Sequence, residues 1–133
     1  FTRCRAWVVY MGYSHEINLD SLTRFSTVND NRLQWRFEAP CGMGKTVQII
    51  ITLKMKQEEN AVSMTFHRAH NGEHSNSLPK KEPVTIILRP DIEDRNFHCK
   101  TKAFTGPETQ WPAAINSFHN GFEFSPTKSH SLK

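Results

Sequence analysis

Three cysteines in 133 residues, Cys4, Cys41 and Cys99, stand far apart with no CxxC pair. That spacing argues against a zinc ribbon, and the odd number is a poor basis for a disulfide scaffold. Cysteine usage of this kind fits a reducing compartment, so the expected location is cytoplasmic. The longest apolar run, Val47 to Leu53, is far short of a membrane span, and no charged-then-apolar signal segment or Asn-x-Ser/Thr acceptor is present. No membrane partner is expected. The chain begins at Phe1 rather than Met, which reads as a piece excised from a longer protein. Charged residues make up only 23%, and the net charge of +4 comes from scattered pairs such as Lys54/Lys56, Lys80/Lys81 and Lys100/Lys102. Without a long basic run or an aromatic RNA-binding signature, that excess excludes nucleic acid as the expected partner. The chain shows no internal repeat.

What is present is a succession of short alternating segments in a chain that is 37% hydrophobic, enough for one globular core. Leu33, Trp35 and Phe37 share one face while Arg32, Gln34 and Arg36 share the other. Val47, Ile49, Ile51, Leu53 and Met55 repeat the pattern, as do Val62, Met64 and Phe66. Turn signals at Val28–Asn31, Pro40–Gly44 and Gln57–Asn60 precede these three strands, and the last two gaps are hairpin-sized. Ala6–Tyr10, Leu22–Val28 and Val84–Leu88 read as further strands, and Ala69–Pro79 as a polar loop. The predicted fold is all-β, an antiparallel β-sandwich of the supersandwich type or an incomplete portion of a larger one. A short irregular or helical C-terminal segment follows, with a helix around Ala113–Phe118. Residues 1–124 form the predicted domain, and 125–133 a tail or linker.

Two local motifs invite stronger readings and fail on context. Gly42-Met-Gly-Lys-Thr46 resembles a phosphate-binding loop, yet Ala39 stands where its first glycine belongs. The next nine residues alternate with period two, whereas that loop must open a helix. Gly42 and Gly44 are therefore predicted to be positive-φ residues of a hairpin. His67, His70 and His74 fall within eight residues, but His67 ends a strand and the others ride a loop, so no rigid element fixes all three around a metal. No metal and no cofactor are expected. The adjacent carboxylates Glu93 and Asp94 point in different directions and cannot flank one glycosidic bond. No catalytic residues are assigned.

The stretch Leu88-Arg-Pro-Asp-Ile-Glu-Asp-Arg-Asn-Phe-His98 is the most informative. Pro90 cannot donate to a sheet ladder and suits a strand end or edge. Asp91, Glu93, Asp94 and Arg95 are too costly to bury unpaired, so they form either a solvated loop or a paired network around a ligand. The spaced pattern Tyr10-x-Gly12, Phe25, Trp35-Arg-Phe-Glu38, Glu59-Asn-Ala-Val62, Met64-Thr-Phe66, Leu88-Arg-Pro90 and Arg95-Asn-Phe-His98 resembles the N-terminal domain of bacterial and archaeal-type glycogen debranching enzymes over residues 10–98.

The resemblance implies a non-catalytic β-sandwich that packs on a downstream (α/α)6 barrel, the amylo-α-1,6-glucosidase, and contributes to α-glucan binding. Carried over by position, it marks Arg95, Phe97 and His98. The alternative is a stand-alone carbohydrate-binding or protein-interaction module. Sugar rings stack on aromatic planes, and their hydroxyls take hydrogen bonds from charged groups. Arg95, His98 and Trp111 are thus the candidate substrate-binding residues. Tyr13 is a second stacking candidate, against the reading that both aromatics are half-buried sandwich residues. The expected partners are glycogen or a branched dextrin and the catalytic domain of the same chain.

Overall fold

The computed structural model describes residues 3–69, 76–94, 107–127 and 130–132. Its strands are β1 (Arg3–Tyr10), β2 (Tyr13–Glu16), β3 (Leu22–Asn29), β4 (Arg32–Pro40), β5 (Thr46–Met55), β6 (Val62–Ala69), β7 (Thr85–Asp91), β8 (Ile115–Phe118), β9 (Gly121–Thr127) and β10 (His130–Leu132). Two 3-10 turns, η1 (Leu19–Ser21) and η2 (Pro107–Ala114), interrupt them. The fold is all-β, as the alternation predicts. It divides into two compact units, Arg5–Arg89 and Pro90–Lys133 with Phe1–Cys4.

In the first unit, β3-β4-β5-β6 form a four-stranded antiparallel meander in chain order. Register explains why the sequence pattern was readable. Trp35 pairs with Ile51 and Ile51 with Phe66, while Phe37 pairs with Ile49, so the apolar sets of three strands fall on one face. A one-residue slip would turn them all outward. Val8 of β1 is buried against Ala39, Cys41, Val47, Ile49 and Leu78, with Tyr10, Ile51, Phe66 and Ile86 packed around them. These contacts join the meander to a second sheet of order β2-β1-β7, and the unit is a sandwich. Each fully buried aliphatic side chain in that core contributes ~1.5–3 kcal/mol of burial free energy.

Three local expectations are corrected. The strand expected to end at Leu88 runs on through Pro90 to Asp91, while the edge position expected for Pro90 is where β7 lies in its sheet. His67 does not end β6, which continues to Ala69 because Ile50, Ile49 and Gln48 supply partners for His67, Arg68 and Ala69. The loop after it is not wholly polar either, since Leu78 is only 3% exposed and belongs to the core.

In the second unit, β10-β9-β8 form a three-stranded sheet preceded by η2. The helix expected around Ala113–Phe118 is instead the end of η2 followed by β8. Proline at 112 removes a helical donor, and Ile115–Phe118 finds ladder partners in β9 across the two-residue His119-Asn120 turn. Gly121 closes that hairpin beneath the Phe118 ring, where an added Cβ would approach to 3.1 Å. Residues 130–132, within the segment read as a tail, pair with β9. Among the described residues no helix is long and apolar enough to cross a membrane.

Candidate functional site: a paired hairpin tip

Two hairpins of the first unit turn on the same dipeptide. Tyr10 and Tyr13 pair directly across Met11-Gly12, whose φ angles are 47° and 82°. Between β4 and β5, Lys45 N donates to Gly42 O at 2.9 Å across Met43-Gly44, with φ of 51° and 66°. Positive φ at both central residues is the backbone of the tight hairpin turn whose twist matches that of its strands. Glycine takes this conformation freely, but methionine in the left-handed region costs roughly 1–2 kcal/mol. Both methionines are nevertheless held there with their side chains in solvent, Met11 79% and Met43 73% exposed.

Tyr13 joins the two turns. A Cβ at Gly42 would lie 3.4 Å from Tyr13 Cβ and Cγ, so the base of the tyrosine rests against this residue, whose φ of 87° is the reason for glycine there. The Tyr13 ring is 46% exposed. The tip therefore offers an aromatic ring with a hydroxyl and two flexible thioethers, a surface able to pack on an apolar ring face while hydrogen-bonding at its margin.

The tip stands on a firm base. Arg68 occupies an inward position of β6, opposite the buried Ile49. Its guanidinium donates to Leu78 O at 3.0 Å, to Pro79 O at 2.8 Å and to Glu82 O. Residues 76–78 are tied to the start of β5 by Thr46 N to Asn76 O and Leu78 N to Thr46 O, both 2.8 Å. Glu82 accepts from Tyr10 Oη at 3.4 Å. Burial, then the Glu82 carboxylate, pushes the Tyr10 phenol above its ordinary range. Cys41 is 1% exposed at the foot of the β4–β5 turn. Burial raises its thiol pKa, and the charges of Arg68 and Lys45 only partly oppose that.

The candidates named from sequence fare differently. Arg95, Phe97 and His98 lie outside the described residues, as do His70, His74 and Cys99. Asp91, from the same charged loop, pairs with Arg3 Nε at 2.9 Å within the second unit. Trp111 sits in η2, half-buried, with its ring edge-on to Phe124 at 5.9 Å and 83°. Tyr13 is the stacking candidate with the open ring. Gly42 and Gly44 have the positive φ expected of them, and β5 rather than a helix follows the glycine-rich segment. Sequence reading missed the Arg68 clamp and the recurrence of Met-Gly. The second was visible as a repeated dipeptide, each copy following a strand pattern. The first had no signal, because an arginine after alternating apolar residues reads as the end of a strand.

A family model described as "Glycogen debranching enzyme N terminal" matches residues 1–131. No curated protein and no solved structure matches the chain.

Proposed function

Because this chain belongs to the glycogen debranching enzyme N-terminal family, we propose that it is a non-catalytic β-sandwich region of a cytoplasmic debranching enzyme, serving a downstream amylo-α-1,6-glucosidase domain by contributing to α-glucan binding. The observation that carries this reading is the Tyr13 ring, seated on Gly42 and open to solvent between two Met-Gly turns. A glucose ring presents C–H faces to such a surface and hydroxyls to its rim, the division of labour that Tyr performs well. Arg95 and His98, which follow β7 in the sequence, and the exposed remainder of Trp111 are proposed as further glucan contacts. Guanidinium and imidazole groups supply charge-assisted hydrogen bonds to hydroxyls.

The test is co-sedimentation of the full-length protein with glycogen. Tyr13→Ala should weaken binding, while Met43→Gly, which keeps the turn and trims one thioether, should weaken it less. Unchanged binding in Tyr13→Ala would remove the tip from the glucan site. If this region is instead a stand-alone protein-interaction module, glycogen affinity will be absent altogether.

A further inference from the structure

The outward face of the four-stranded meander carries an unexpected arrangement of charge. Register places Arg24 directly opposite Arg36, and Arg32 directly opposite Lys54. Like charges at facing positions of a sheet destabilise it. Both juxtapositions lie on the face opposite the core, since Phe37 and Ile49, which alternate with them, are buried. Among the described residues no ion pair neutralises any of these four cations. Arg36 donates to the Gln48 side-chain oxygen at 3.4 Å, a neutral partner, and the one carboxylate on the face, Glu38, accepts from Thr46 Oγ1 at 2.9 Å. Arg32 Nε is shielded from water and finds no acceptor among the described residues.

Between the two cationic pairs runs a neutral strip of Ser26, Gln34, Thr52 and Thr65, aligned across the four strands by Ser26–Gln34, Gln34–Thr52 and Thr52–Thr65 pairing. The pairs are four residues apart along β4, about 13 Å at the rise of a strand. We propose that this face binds phosphate-ester-bearing α-glucan, with Arg24/Arg36 and Arg32/Lys54 holding phosphates and the amide and hydroxyl strip holding sugar hydroxyls. The proposal rests on the glucan reading above and adds the anionic substituent to it.

Alternatives with the same charge fit less well. An acidic peptide is also recognised by clustered arginines, but it offers no row of hydroxyls to the amide and hydroxyl strip that separates the two pairs. Single-stranded nucleic acid needs a row of aromatic platforms, and among the described residues this face has no Phe, Tyr or Trp, its one aromatic ring being the His67 imidazole opposite Ile50. Guanidinium groups match phosphate oxygens in pairs, and neighbouring cations that repel each other in the empty protein are both satisfied by one dianion.

The experiment titrates the full-length protein with a phosphorylated glucan and with the same glucan after phosphatase treatment. The wild type should bind the phosphorylated form about tenfold more tightly, the equivalent of one well-placed charge-assisted bond. The double variant Arg24→Gln/Arg36→Gln should lose that preference, keep its affinity for the dephosphorylated glucan, and melt no earlier, because a repulsion has been removed. Arg32→Gln/Lys54→Gln serves as the independent second variant with the same expectation. Equal affinity of the wild type for both glucans overturns the proposal and leaves the Tyr13 site standing. Failure to bind either glucan overturns both readings. Equally tight binding of single-stranded DNA overturns the proposal by showing only a general attraction for polyanions.

Discussion

Replacing Arg68 probes the base of the hairpin tip, and the expected loss can be worked from its partners. The side chain donates three charge-assisted hydrogen bonds to main-chain carbonyls of residues 78, 79 and 82. Each such bond is worth about 1.5–3 kcal/mol, but the three do not count equally once the donor is gone. Pro79 is exposed, so water can take over at its carbonyl, and Glu82 is half-buried; Leu78 is buried and its carbonyl has the least access to solvent. One bond lost outright and two partly replaced put Arg68→Met at about 2–4 kcal/mol. Methionine keeps much of the aliphatic packing, so little of this is cavity. Lysine restores the charge without the planar fork and should recover less than half. Chemical denaturation measures the total, and hydrogen exchange locates it: the amides of Thr46 and Leu78, bonded to Asn76 and Thr46, should lose protection before those of mid-β5. A loss under about 0.5 kcal/mol in Arg68→Met, or unchanged protection at Leu78, would refute the idea that this arginine holds the 76–82 segment in place.

Other substitutions follow from the same geometry. Met43→Asn should stabilise the protein by about 0.5–1 kcal/mol, because asparagine tolerates the left-handed backbone that methionine occupies under strain; thermal melts read it, and destabilisation would mean the Met43 side chain is packed after all. The thiol of Cys41 is raised by burial, so the folded state keeps a proton that the unfolded state gives up near the ordinary value of 9.0. Its contribution to stability is therefore full below that value and is lost as pH rises through the folded-state pKa. Cys41→Ala should melt earlier at neutral pH yet lose less on going from about pH 8 to about pH 10 than the wild type does. Arg95→Ala in the full-length protein should weaken use of branched dextrin more than it lowers the melting temperature, whereas Phe97→Ala should cost stability first. An Arg95→Ala protein that melts early but keeps wild-type kinetics below its melt ends the claim for that residue.

The meander was legible because register and alternation reinforce each other in it. Leu33, Trp35 and Phe37 meet Leu53, Ile51 and Ile49 in order, and Gly42 and Gly44 supply positive φ at the turn between β4 and β5. Segments without alternation were not legible. β2 is four residues, Tyr-Ser-His-Glu, with no apolar period, and it exists because the Met11-Gly12 turn delivers it to β1. β8, Ile-Asn-Ser-Phe, is exposed throughout, so burial left no imprint on its composition. Leu78 reaches the core from a polar loop because Arg68 satisfies the carbonyls around it, a long-range dependence that no local window contains. Tyr13 was recognisable as an aromatic of the right type, but its seat beside Gly42 joins positions twenty-nine residues apart, which no local window contains.

The central claim, that this sandwich aids the use of α-glucan without performing the hydrolysis, is tested most directly by steady-state debranching kinetics of the full-length protein carrying Tyr13→Ala. The account predicts a KM for branched dextrin raised about three- to tenfold, the scale of one aromatic contact, with kcat and the melting temperature unchanged. A fall in kcat at unchanged KM, or wild-type values for both, would contradict it.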